Sequence, residues 1–191
     1  MPATNITVTI PAELKKELQR ISNKNINVGS HACFLGAGAY NHFIPAAVKH
    51  IANRSEFYTA YTPYQPEISQ GILEVMYEYQ TMLCRLTGMD VANASLYDGA
   101  TAISEAAFLA CNFTKRNEIV ISTTVHPEYR AVLKTYASGA KLDVIEVDFS
   151  DGTTNLDKLK TCIGEKTACI IIQQPNFFGS LENVIEIEKI C

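Results

Sequence analysis

From Glu118 onward the chain alternates between short apolar, β-branched runs and amphipathic stretches. In order these are "EIVIS", "PEYRAVLKTYAS", "KLDVIEV", "NLDKLKTCIG", "ACIIIQQ" and "LENVIEIEKI". Strands that are apolar throughout are buried on both faces, and strands separated by a helix cannot pair as tight hairpins. The alternation therefore predicts an α/β fold, a mainly parallel sheet with helices on both faces. A chain of 191 residues, 47% of them hydrophobic, suffices for one such core or the greater part of a larger one.

The first half is predicted to be mostly helical. "PAELKKELQRI" carries Leu14, Leu18 and Ile21 on one face after Pro11, and "IPAAVKHIAN" is again opened by a proline. The longest helix is "SQGILEVMYEYQTMLCRLTG". Ser69 is placed to cap it, Ile72, Val75, Met76, Tyr79, Leu83 and Leu86 form its apolar stripe, and Gly88 ends it. A short extended piece near "VANAS" and the helix "GATAISEAAFLACNF" lead into the alternating series. "LENVIEIEKIC" closes the sequence without a glycine or asparagine cap, so we expect the chain to be part of a longer one.

Charge and cysteine usage exclude several classes. The net charge is −4 with scattered Lys and Arg, which leaves no basic footprint for nucleic acid or an anionic membrane. No apolar run approaches the roughly 20 residues of a membrane helix, and the first residues lack the pattern of a signal peptide. Six single cysteines, with no C-x-x-C pair and no adjacent His, predict reduced and mostly buried thiols in a cytoplasmic protein and no metal site.

One stretch fits neither period. "FYTAYTPYQPEISQG", Phe57 to Gly71, holds four aromatics and two prolines, and Thr62-Pro63 and Gln65-Pro66 keep its backbone extended and unpaired.

In open α/β sheets ligands bind beyond the carboxyl ends of the strands, so the βα turns are the places to look for chemistry. "NASLYDGATA" feeds small residues and Gly99 into a helix, as a phosphate site would, but Asp98 at its cap takes up the same donors and repels an anion. "STTVHPEYR" puts His126 between a strand and Pro127, where it is a helix-start residue or a ring for a ligand to stack on. "IIIQQPNFFGSLEN" delivers Gln173, Gln174 and Asn176 to a turn closed by Gly179. Each has an ordinary structural reading. "GAGAY", Gly36 to Tyr40, is glycine-rich but matches neither nucleotide-loop spacing, which counts against a non-enzymatic nucleotide-binding module.

Together, "TAYTPYQPEISQGILEVMYEYQTMLCRLTGMDVANASLYDGATAISEA", "VHPEYR" and "QPNFFG" resemble the P-protein family of the glycine cleavage system. The likeness is to the N-terminal half, made by many bacteria as a separate subunit 1, and runs from "NVGSHACFLGAGAYNHFIP" to the last residue.

The resemblance implies an aspartate-aminotransferase-like fold, that of pyridoxal-phosphate-dependent transferases of fold type I. Residues 1–40 would form a helical or extended N-terminal segment, and 41–191 the first part of the large domain, truncated at its C-terminus. The implied activity is that of glycine dehydrogenase (decarboxylating), an oxidoreductase of glycine catabolism that releases CO2 and passes the aminomethyl group to the lipoyl arm of H-protein. A lysine Schiff base anchors the cofactor in this family, in the C-terminal half or in subunit 2. No lysine here has the matching context, so no catalytic residue is assigned to the chain. Asp98, Gly99, Ala100 and His126 would mark a degenerate cofactor site, with pyridoxal phosphate held by the partner subunit. Tyr61, Tyr64, Gln65, Glu67, Gln70 and Asn176 would face the partner's pocket. Subunit 2 and lipoylated H-protein are the implied partners, in a heterotetramer of two subunit types. The alternative within the same fold is the N-terminal part of a self-sufficient pyridoxal-phosphate enzyme whose lysine lies beyond Cys191.

Overall fold

The computed structural model of the chain describes residues 10–34 and 42–191. It divides into two units, Met1–Tyr40 and Asn41–Cys191. The glycine-rich stretch from Gly36 to Tyr40 lies outside the described residues. In the first unit, helix α1 (Ala12–Ser22) starts after Pro11 and leaves Leu14, Leu18 and Ile21 each about half exposed.

The second unit opens with α2 (Ala46–Ala52), the single turn α3 (Ser55–Tyr58) and α4 (Gln70–Thr87). Phe57 and Tyr58 thus belong to a helical turn, and the irregular backbone begins at Thr59. Beyond it the prolines do not leave the chain wholly unpaired, because Ile68 and Ser69 both donate to the Gln65 carbonyl, each at 3.1 Å. Gly88 ends α4 in the left-handed conformation, φ 74°, as the sequence predicts. Ser69 occupies the cap position without a side-chain cap bond. Nor is the apolar stripe of α4 a core face: Ile72, Met76 and Leu83 are half-buried, whereas Val75, Tyr79 and Leu86 are exposed. The "VANAS" segment forms no strand, since the Ala92 carbonyl is held by the Gln80 side chain (2.7 Å) rather than by a ladder.

The α/β core follows in the expected order: α5 (Gly99–Thr114), β1 (Glu118–Ser122), α6 (Pro127–Ala140), β2 (Asp143–Val147), α7 (Leu156–Cys162), β5 (Thr167–Ile171) and α8 (Val184–Ile190). The strands form a parallel sheet in the order β2-β1-β5. Because side chains alternate along β1, Ile119 and Ile121 pack with Ala107 and Cys111 of α5 and Leu133 of α6. Val120 points the other way, onto Leu159 of α7 and Ile187 of α8. All three β1 residues are fully buried, each stabilising the fold by roughly 1.5–3 kcal/mol.

Between β2 and α7 sits a hairpin absent from the sequence reading, β3 (Phe149–Ser150) against β4 (Thr153–Thr154). Its turn residues Asp151 and Gly152 are both left-handed, φ 52° and 78°. All six cysteines are free, but only Cys111 is buried while Cys33 and Cys191 are exposed, so the expectation of mostly buried thiols is corrected. Cys111 lies on the core face of α5, whereas Cys33 lies in a segment that is exposed throughout. No helix among the described residues is long and apolar enough to cross a membrane.

Candidate functional site

The carboxyl end of β1 leads through Thr123, Thr124 and Val125 to His126, the cap of α6. The ring Nδ1 accepts from the Glu128 N–H at 3.2 Å, so in the neutral imidazole the proton sits on Nε2. Proline follows at the first helical position, where its missing N–H costs nothing. The His126 main-chain N–H donates to Gln173 Oε1 at 2.9 Å, joining this turn to the one that follows β5.

Two aromatic rings fix the imidazole. Tyr129, one helical turn along α6, stacks on it with centroids 4.7 Å apart and planes inclined 26°. Phe177, from the turn after β5, meets it edge-on at 5.0 Å and 79°. The Phe177 N–H donates to the Thr124 carbonyl at 2.8 Å, which seats that ring.

The start of α5 is closed by its own side chains. Asp98 Oδ1 accepts from the Thr101 N–H at 2.7 Å, and Thr101 Oγ1 accepts from the Asp98 N–H at 3.1 Å, a reciprocal capping box. The Thr101 N–H, then the Thr101 hydroxyl, hold the Asp98 carboxyl below the usual carboxylate range. Gly99 faces the Tyr129 ring: a Cβ there would stand 2.6 Å from the phenol oxygen and 2.7 Å from Cζ.

These residues do not fit pyridoxal phosphate. A phosphate at the α5 N-terminus needs free amides and no competing anion, whereas Asp98 takes up the Thr101 amide and puts a carboxylate at that end. One face of the imidazole carries Tyr129, and the same Tyr129 covers Gly99.

Behind the turns lies a buried polar cluster that the sequence reading did not find. Glu182, 5% exposed, accepts from the Thr124 hydroxyl and the Asn176 amide on Oε1 (2.8 Å each) and from the Thr154 N–H on Oε2 (2.9 Å). Burial alone would raise the Glu182 carboxyl, but these hydrogen bonds outweigh it and hold it below the ordinary range. Asn176 also donates to the Gly152 carbonyl and accepts from the Phe178 and Ser180 N–H groups.

The loop after α3 is arranged differently. Tyr61 and Tyr64 are 81% and 77% exposed, their rings 6.1 Å apart, and Gln65, Glu67 and Gln70 are exposed as well. Glu67 and Gln70 line an open groove with Leu73, Tyr77 and Met82 of α4. Asn176 does not share this setting: it is 2% exposed and its amide is fully committed within the chain. The structure thus brings Gly99, His126, Tyr129 and Phe177 together. Tyr129 was legible in "HPEYR", since a residue three after the cap shares its face; Phe177 and Glu182 depend on contacts distant in sequence. No group of three His, Cys, Asp or Glu side chains able to hold a metal occurs among the described residues.

Residues 4–191 match the model of the glycine cleavage system P-protein. The chain belongs to the glycine cleavage system P-protein family. It is 57% identical over 178 residues to a probable glycine dehydrogenase (decarboxylating) subunit 1 of Bacillus cytotoxicus, an alignment covering 93% of this chain and 40% of that protein. The like-named protein of Bacillus thuringiensis subsp. konkukian is 57% identical over the same shares. A crystal structure of glycine decarboxylase (P-protein) of the glycine cleavage system, in inhibitor-bound form, superposes with a TM-score of 0.78 at 40% identity, covering 97% of this chain and 42% of that one. The fold is accordingly the fold type I large-domain architecture that this family implies. The chain spans about 40% of the length of the P-protein relatives it matches.

Proposed function

We propose that this P-protein chain serves glycine decarboxylation as a non-cofactor-bearing part of glycine dehydrogenase (decarboxylating), with transfer of the aminomethyl group to lipoylated H-protein. Pyridoxal phosphate is then held by the partner, subunit 2, in a cytoplasmic heterotetramer of two subunit types. When bound there, the cofactor supplies the electron sink for loss of the carboxylate.

The observation carrying this assignment is the Tyr129 ring lying across Gly99 and stacked on His126, beside an α5 terminus already capped by Asp98. The 57% identity to proteins named subunit 1 supports the division of labour. Residues 1–40 are in this scheme a separate N-terminal segment preceding the large-domain part. Tyr61, Tyr64, Gln65, Glu67 and Gln70 face the partner's pocket: tyrosines offer broad apolar area with a polar tip, as interface loops need, and these are exposed. Asn176 contributes from within, by holding the turn that carries Phe177.

Reconstitution tests it. The intact subunit should catalyse no glycine–bicarbonate exchange alone and should recover it with subunit 2 and H-protein. Borohydride reduction of the assembled enzyme should fix cofactor on a lysine of subunit 2 only. Cofactor fixed stoichiometrically on a lysine of this chain would overturn the assignment.

A further inference from the structure

The polar cluster around Glu182 has a hydrogen-bond direction dictated by the carboxylate. An ionised carboxylate only accepts, so the Thr124 hydroxyl donates to it. Thr124 Oγ1 is then left to accept from Ser122, 2.8 Å away, and Ser122 Oγ in turn accepts from the Thr154 hydroxyl, also at 2.8 Å. Thr154, Ser122, Thr124 and Glu182 form one ordered chain beneath the carboxyl end of β1. No side-chain polar atom buried among the described residues lacks a partner.

The cluster reaches the site through one residue. Asn176 links the carboxylate to the turn after β5 by accepting from Phe178 and Ser180 while donating to Glu182 and to Gly152 of the hairpin. Between Asn176 and Phe178 stands Phe177, the ring that meets His126 edge-on. The Glu182 N–H is itself anchored on Gln174 Oε1 at 2.6 Å, and the neighbouring Gln173 receives the His126 N–H. Two of these links lead toward His126: Asn176 through the turn that carries Phe177, and Gln174 through its neighbour Gln173.

We propose that Glu182 is a positioning residue, which through Asn176 and Phe177 sets the orientation of the His126 ring at the face the partner's active site uses. That last clause rests on the function proposed above. A carboxylate suits the role because it gathers three donors from β4, the β1–α6 turn and the turn after β5, which an uncharged acceptor cannot do without leaving one unpaired. Removing it leaves these donors competing for water in a closed site, and the Phe177 turn loses its fixed register.

The test uses the intact subunit with isotope-labelled histidine, the His126 resonance being identified by its disappearance in His126→Gln. Glu182→Gln and Asn176→Ala should both abolish the ring-current displacement that Phe177 imposes on His126, and Phe177→Leu should abolish it directly. Glu182→Asp, which keeps the anion, should restore part of it. Combining Glu182→Gln with Asn176→Ala should add nothing beyond either alone. A native His126 resonance in Asn176→Ala or in folded Glu182→Gln overturns the proposal; if Glu182→Gln does not fold, Asn176→Ala and Glu182→Asp decide. In the reconstituted enzyme the displaced ring should lower kcat about tenfold with KM for glycine little changed. A moved resonance with undiminished turnover retains the positioning of the ring and refutes the clause that places it at the partner's active site.

Discussion

The phenol of Tyr129 lies across Gly99, so close that a Cβ on residue 99 would stand 2.6 Å from its oxygen. Glycine is needed there for a reason unrelated to phosphate: it is the floor on which an aromatic ring rests. Gly99→Ala should therefore displace Tyr129, unstack it from His126 and cost about 1–3 kcal/mol in chemical denaturation, as overpacking of a rigid neighbour does. Gly99→Ala combined with Tyr129→Ala should recover most of that loss. If the single variant is as stable as the parent, the ring does not depend on this contact.

The acid limb of stability should report Glu182. Its carboxyl is held below the ordinary glutamate value of about 4.3, so the associated stability is fully present above that value and drains away as pH falls through the lower folded one. Glu182→Gln has no such term. Its free energy of unfolding should be lower by about 2–3 kcal/mol near neutrality, and the gap to the parent should narrow below about pH 4. Urea titrations across this range check it, and a gap that stays constant would show that the charge contributes nothing.

Thiol reactivity should split by position. Burial first, and then the neighbouring Cys111, push the Cys169 thiol up to about 11, whereas Cys33 is exposed. Since the thiolate is the nucleophile, iodoacetamide near pH 8 should modify Cys33 promptly and reach Cys169 only after unfolding. Peptide mapping of modified native protein reads this directly, and early labelling of Cys169 would contradict the packing of β5 against α5.

The exposed loop tests the proposed interface. Tyr64→Phe and Glu67→Gln conserve volume, so the melting temperature should barely move. In the enzyme reconstituted with subunit 2 and H-protein, each should lower glycine decarboxylation about tenfold or more, since a hydrogen bond made in the transition state is worth about 1–3 kcal/mol. Unchanged turnover in both would leave the loop as a brace for α4.

What the sequence revealed of this fold follows from which interactions are local. Apolar runs such as "EIVIS" carry their own burial signal, and Asp98 and Gly88 mark helix ends because their partners lie within four residues. The β3–β4 hairpin also has a local signal, since Asp-Gly flanked by "FS" and "TT" is a strong two-residue turn signal. Other features were out of reach. Glu182 sits in "SLENV" like any helix-start acid, and its role depends on Thr124, fifty-eight positions away. "VANAS" looked extended, yet extension becomes a strand only with a neighbour to pair with.

The sheet order β2-β1-β5 leaves each outer strand with one side of its backbone unpaired among the described residues. The two borders are unequal. β2 carries Asp143 and Glu146, charges that discourage a stranger from docking alongside, whereas β5, "TACII", carries none. Its free amides and carbonyls form a template of the kind that adds strands, whether from a proper neighbour or from another copy caught half-folded. A lysine placed at position 170, in the middle of that border, would guard it, at the cost of the same strand's place in the core behind Val120.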